Sequence, residues 1–183
     1  MQYLSTRDSG RQVSAAAAIV RGLSPDGGLF LPERIPPLTA EQLRQLTTMD
    51  YPHRAAWVMG QYLDGFTPEE LLAYARQAYG PEKFDTPAAA PVHSLGNDHL
   101  LELWHGPTCA FKDMALQMLP HLLTASLQKT GEQRTACILV ATSGDTGKAA
   151  LEGFRDVPQS KILVFYPAHG VSEVQRLQMV TQQ

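Results

Sequence analysis

Apolar residues recur at helical spacing through the first half of the chain and gather into short unbroken runs in the second. Val13 to Val20 is alanine-rich and apolar, which predicts a buried helix ending near Gly22. Ser24-Pro25-Asp26-Gly27-Gly28 reads as a turn, because proline presets φ and glycine permits positive φ. Leu29-Phe30-Leu31-Pro32 is a short extended piece after it. Thr39 caps a helix with Leu43 and Leu46 on one face and Glu41 in the first turn. Tyr51 to Leu63 is a further helix, with Ala55, Val58, Met59 and Tyr62 aligned. Thr67-Pro68-Glu69-Glu70 starts another, with Thr as N-cap and Pro at the first helical position. Its apolar stripe is Leu71, Leu72, Ala75 and Ala78, and Gly80-Pro81 stops it.

Thr86-Pro87-Ala88-Ala89-Ala90-Pro91 has two helix-breaking prolines and no packing pattern, so a linker is expected there. It divides the chain into residues 1–90 and 91–183. Val92 to Leu95 and His99 to Trp104 predict two strands about a Gly96-Asn97-Asp98 turn. A long helix from Phe111 to Lys129 follows, with a kink expected at Pro120. Ala136 to Ala141 and Lys161 to Tyr166 are the apolar runs of buried parallel strands, joined through a helix that ends near Phe154. Ser172 opens a last helix with capping-box spacing to Gln175. The fold class that results is α/β: a mostly helical N-terminal domain, then the start of a mostly parallel sheet. Two parallel strands are too few to build a covered sheet, so the chain reads as the N-terminal piece of a larger protein.

Composition narrows the class. With 183 residues, 44% hydrophobic and 18% charged, the chain supports a packed core. The net charge of −3 and the absence of a basic run give no footprint for nucleic acid or an anionic membrane surface. Two cysteines, Cys109 and Cys137, make no disulfide framework. No apolar run approaches the ~20 residues of a membrane-spanning helix, and no signal peptide is visible, so a cytoplasmic location is expected.

Two loops carry candidate chemistry. In His105-Gly106-Pro107-Thr108-Cys109-Ala110-Phe111-Lys112-Asp113, one lysine stands at the mouth of a helix beside an aromatic residue. A lysine amine with a reference pKa of about 10.4 needs desolvation or a neighbouring cation to act as a nucleophile toward an aldehyde. Phe111 offers partial desolvation, whereas Asp113 opposes it by favouring the ammonium. A surface lysine at a helix start is the plain alternative. Ala141-Thr142-Ser143-Gly144-Asp145-Thr146-Gly147 joins an apolar strand to a helix. Glycines, hydroxyls and free helix-start N–H groups there suit a carboxylate or phosphate, and an ordinary capped turn is the alternative. Gly147-Lys148-Ala149 does not satisfy the P-loop pattern, and no dinucleotide glycine fingerprint, nucleophile elbow or metal-ligand spacing is present.

Four stretches together resemble one family. Trp104 to Asp113 is similar to the cofactor-lysine motif of threonine synthases, and Ala141 to Ala150 to that family's second signature. Tyr3-Leu4-Ser5-Thr6-Arg7 with Asp26 to Pro32, and Tyr166-Pro167 with His169 to Met179, resemble it in the same order. The resemblance implies a fold-type II enzyme that uses pyridoxal 5'-phosphate to convert O-phospho-L-homoserine and water to L-threonine and phosphate, a carbon–oxygen lyase reaction. By the same resemblance Lys112 is the catalytic residue, and Lys112, Phe111 and Asp145 fall at the cofactor. Ser143, Gly144, Asp145, Thr146 and Gly147 fall on the substrate. Asp145 stands where many relatives of the wider fold class carry Asn. The resemblance further implies that the phosphate-binding glycine loop and the rest of the enzyme lie beyond residue 183, so that this piece alone is inactive. A threonine-synthase-like phospho-lyase and a non-catalytic module are the alternatives it leaves.

Overall fold

A computed structural model describes residues 1–182. The chain forms two compact units: Met1–Arg76 with His121–Gln133, and Gln77–Pro120 with the residues from Arg134 onward. The division differs from a single cut near residue 90. The segment Thr86–Pro91 lies inside the second unit, and Ala89 in it is fully buried at φ 52°.

In the first unit three very short strands make an antiparallel sheet: β1 (Tyr3–Ser5), β2 (Gln12–Val13) and β3 (Phe30–Pro32), in the order β2-β1-β3. Asp26 ties the turn at 24–28 to β1. Its carboxylate accepts hydrogen bonds from Gly28 N at 2.8 Å and from Ser5 Oγ at 2.8 Å. The Gly28 N–H holds the Asp26 carboxyl below its usual range, with help from Ser5, Ser24 and Arg11. A Cβ on Gly28 would fall 2.3 Å from Ser5 Oγ, so this close approach requires glycine. The Ser5-Thr6-Arg7 and Asp26-Gly27-Gly28 stretches are therefore a structural knot.

Helix α1 (Ala15–Arg21) is capped by Ser14, and Gly22 at φ 69° closes it. Helix α2 (Ala40–Thr47) starts at Thr39, which forms a reciprocal capping box with Gln42. No residue of α2 is fully buried: on its apolar face Leu43 is exposed and Leu46 half-buried. Helix α3 (Tyr51–Gly60) is capped by Asp50 and buries Ala56, while Val58 points to solvent. Helix α4 (Pro68–Tyr79) opens as expected: Thr67 Oγ1 accepts from Glu70 N, and Glu70 accepts from Thr67 N at 2.7 Å. Leu71 and Ala75 are buried in this unit, and Lys129 bridges to Glu70 at 2.8 Å.

In the second unit β4 (Val92–Leu95) and β5 (Asp98–Leu101) form an antiparallel hairpin with every residue exposed. Gly96 at φ 65° begins its two-residue turn, so Asp98 belongs to the strand, which ends at Leu101. The expected helix 111–129 is broken in two: α5 (Asp113–Leu116) and α6 (Leu119–Thr130). Pro120 has no N–H to give the Leu116 carbonyl four residues back, and its ring crowds that carbonyl. The outcome is a break with Pro120 in the first turn of a new helix, which is where proline fits.

Strands β6 (Ala136–Ala141) and β7 (Ser160–Phe165) are parallel, with Ile138 opposite Ile162 and Val140 opposite Val164. Helix α7 (Asp145–Gly153) connects them and packs on one face, and α8 (Glu173–Val180) follows, capped by Ser172 and Gln175. The strands alternate strictly between half-buried and exposed, and are not buried on both faces. Leu139, Leu163 and Phe165 on the open face are 66%, 53% and 63% exposed.

Helices α5 and α7 pack together, and the Leu116 carbonyl freed by Pro120 lies against Gly153. A Cβ there would sit 2.1 Å from that oxygen, with Pro120 Cγ at 3.7 Å. Gly153→Ala is therefore expected to destabilise the fold by about 2 kcal/mol or more, because a backbone atom must move. Denaturant unfolding of the variant measures this, and an unchanged midpoint would contradict the contact.

Candidate active site

The lysine turn is built around a buried carboxylate. Asp113 is 1% exposed; Oδ2 accepts from Thr108 N at 2.9 Å and Oδ1 from Thr108 Oγ1 at 2.8 Å. A Cβ on Gly106 would lie 2.6 Å from Asp113, so glycine there lets the chain close over the carboxylate. Cys109 takes φ 57°, a left-handed conformation at a non-glycine position, to complete the turn. Phe111 follows, more than half exposed, and Lys112 is the N-cap residue just before α5. The Lys112 Nζ lies 4.8 Å from the centroid of the Phe111 ring, within cation–π range. Among the described residues the Lys112 Nζ has no hydrogen bond or ion pair, while its carbonyl accepts from Ala115 N and Leu116 N. The carboxylate expected to hold its ammonium is turned to Thr108 instead.

His105 anchors the start of the turn. Its Nδ1 lies 2.6 Å from Asp85 Oδ1 and its Nε2 2.7 Å from Glu102 Oε2, while Asp85 N donates to the His105 carbonyl. His93 Nε2 is 3.5 Å from the same Glu102 oxygen. Glu102 first, then Asp85, raises the His105 pKa by stabilising the imidazolium. With both ring nitrogens committed, His105 holds the turn to the 82–85 segment. A raised folded pKa stabilises the fold below the unfolded value of about 6.5, and that contribution is lost as pH rises through the higher folded value. Stability is thus expected to fall as pH is raised above about 6.5. His105→Gln should flatten that slope in unfolding curves taken across the range; an identical slope would remove His105 from the account.

The second loop lies at the carboxyl end of β6. Thr142 Oγ1 accepts from Gly144 N at 3.0 Å and Gly147 N at 3.2 Å, and so shapes the loop from within. Gly144, at φ 156° and ψ −95°, precedes α7 without a side-chain cap. Gly147 is buried; a Cβ there would meet Thr142 Cγ2 at 2.4 Å and Val164 Cγ1 at 3.0 Å, so its role is to seat the helix on β7. Among the described residues the N–H groups of Ser143, Asp145 and Thr146 meet no acceptor. These three, with the α7 dipole, are the open donors for an anion. Ser143 and Asp145 are exposed and Thr146 half-buried. Asp145 Oδ1 accepts from Gln175 Nε2 of α8 at 2.7 Å.

All seven sequence-predicted residues thus lie in one compact unit, on two loops whose helices α5 and α7 pack together. Three shaping residues were missed: Thr142, Asp113 in its role as clasp, and Gln175 as a partner of Asp145. Thr142 alone carried a readable signal, a hydroxyl two residues before a glycine, the spacing of a side-chain turn. No cluster of His, Cys, Asp and Glu able to hold a metal occurs among the described residues, and no helix among them is long and apolar enough to cross a membrane.

The chain is similar to known proteins over nearly its whole length. Residues 2–79 match the family described as threonine synthase N terminus. Threonine synthase of Pseudomonas aeruginosa is 41% identical over 183 residues, covering 99% of this chain and 38% of that protein. The crystal structure of pyridoxal-phosphate-bound threonine synthase from Brucella melitensis superposes with a TM-score of 0.88 at 39% identity, over 98% of this chain and 38% of that one. The Escherichia coli threonine synthase structure gives 0.86 at 31% identity, over 100% and 41%. The chain spans about two fifths of the length of these relatives. In sequence over its whole length and in fold, the chain matches the N-terminal region of the threonine synthases, of fold-type II.

Proposed function

We propose that these residues are the N-terminal part of a pyridoxal-phosphate-dependent threonine synthase that converts O-phospho-L-homoserine and water to L-threonine and phosphate. The observation that carries this reading is the unpaired Lys112 amine on a turn locked by the Asp113–Thr108 clasp. An amine with no carboxylate partner fits an aldehyde cofactor, and the open N–H groups of Ser143, Asp145 and Thr146 fit the carboxylate of an amino-acid substrate. Lys112 would hold the cofactor, with Phe111 beside it. When bound, the cofactor supplies a ring that withdraws electrons from the substrate carbons.

The remaining work falls to the chain's own groups. The 143–147 loop binds and orients the substrate carboxylate through its open N–H groups, while Gly144 and Gly147 let Gln175 and Val164 pack against the loop. Lys112 Nζ takes and returns protons at the substrate Cα and Cβ, so that phosphate can leave Cγ and water can add at Cβ. The uncovered apolar face of β6 and β7 supports the view that further strands of a longer enzyme complete the sheet and bring the cofactor-phosphate site.

In the full-length enzyme, Lys112→Ala is expected to lower phosphate release from O-phospho-L-homoserine by about a thousandfold or more, with loss of cofactor absorbance. The 183-residue chain alone is expected to show no turnover. Wild-type turnover by the Lys112→Ala enzyme, or robust phosphate release by the isolated chain, would refute the proposal.

A further inference from the structure

We infer that Gln175 is a positioning residue that keeps the anion-binding loop open by holding Asp145 away from the loop's own N–H groups. The inference rests on the reading of that loop as the site for a substrate carboxylate.

The geometry starts in α8. Gln175 occupies the third position of the helix, and its Oε1 accepts from Ser172 Oγ at 3.1 Å and Ser172 N at 3.4 Å. That commits the oxygen end of the amide to the helix cap. The NH₂ end must then face outward, where it donates to Asp145 Oδ1 at 2.7 Å. A capping residue that ordinarily serves its own helix here reaches 30 residues back along the chain. The amide also lies directly on Gly144: a Cβ at that position would be 2.5–2.7 Å from Gln175 Cδ, Nε2 and Oε1. Gly144 is thus required by the contact as well as by its φ of 156°. One turn further on, buried Met179 brings Sδ to 3.0 Å from where a Cβ on Gly147 would stand. Helix α8 therefore grips the loop at both of its glycines.

This grip solves an electrostatic problem. An aspartate in the first turn of a helix readily turns its carboxylate back onto nearby unpaired backbone N–H groups. In this loop the unpaired groups are those of Ser143, Asp145 and Thr146, the same donors an anionic ligand needs. If Asp145 satisfied them itself, it would act as a built-in competitor for that ligand. Gln175 gives Oδ1 a short neutral partner elsewhere, and the Ser172 cap prevents the amide from flipping. A donor at position 175 is therefore needed, and a second carboxylate there would drive Asp145 back toward the loop.

Calorimetry with O-phospho-L-homoserine on the cofactor-free full-length protein, and steady-state kinetics on the active enzyme, test this. Gln175→Glu and Gln175→Met are each expected to weaken binding and raise KM about tenfold, with kcat changed by no more than about twofold. The Met variant keeps the side-chain length without a donor or a charge, so it carries the test if the Glu variant folds poorly. Adding Asp145→Asn to Gln175→Glu restores an amide–carboxylate pair with its polarity exchanged, and should recover most of the lost affinity. Unchanged affinity in both single variants, or a double variant no better than Gln175→Glu, overturns the inference. Wild-type protein that binds no O-phospho-L-homoserine overturns the enzymatic reading instead. The pairing itself is then still read as coupling between residues 145 and 175 in the thermal unfolding of the wild type, Gln175→Glu, Asp145→Asn and the double variant, and additive effects there would overturn it.

Discussion

A buried carboxylate is the interaction on which the rest of the site depends. Taking an ionised group out of water costs several kcal/mol unless hydrogen bonds replace the lost solvent. Asp113 can be buried only because Thr108 turns both its N–H and its hydroxyl onto the carboxylate. That requirement bends residues 106–113 into one shape. It excludes a side chain at Gly106, forces Cys109 into a left-handed conformation and delivers Lys112 at the N-cap of α5. Because the carboxylate is consumed by Thr108, the lysine beside it has no counter-ion. The same residue that a reading of the sequence sets against a reactive lysine thus frees it by geometry.

The clasp is held to the rest of its unit by two devices. His105, bonded through its two ring nitrogens to Asp85 and Glu102, fastens the entry to the turn. The break at Pro120 leaves the Leu116 carbonyl facing α7, and Gly153, having no side chain, leaves room for it at close range. The lysine turn and the anion loop therefore share one packed pair of helices, α5 on α7. The loop in turn is shaped from inside by Thr142 and held from outside by Gln175 and Met179. Each half of the site is supported by groups that need not touch a ligand.

Much of this was legible in the sequence where the controlling physics is local. Thr39, Thr67 and Ser172 cap helices because cap hydrogen bonds span only three residues. The β6–α7–β7 order followed from two apolar runs and a glycine-rich turn. Other features depend on distant partners and left no local trace. Strands β1 and β2 are two or three residues long, too short to show a period, and exist through pairing with each other and with β3. The run Ala136 to Ala141 is apolar at every position, so nothing in it told which face packs on α7 and which stays open. Gln175 was visible as a cap, but its second bond crosses to a loop 30 residues earlier. The four family-like stretches pointed to the right relatives, yet one of them, Ser5-Thr6-Arg7 with Asp26-Gly27-Gly28, proved to be a structural knot.

The central claim is that the turn around Asp113 presents one particular amine for covalent cofactor attachment. Its most direct test is borohydride reduction of the full-length protein with pyridoxal 5'-phosphate, followed by proteolysis and mass spectrometry of the labelled peptide. The account predicts a single reduced adduct on Lys112. A label on Lys148, which sits in the helix behind the anion loop, or a label spread over the surface lysines, would contradict it.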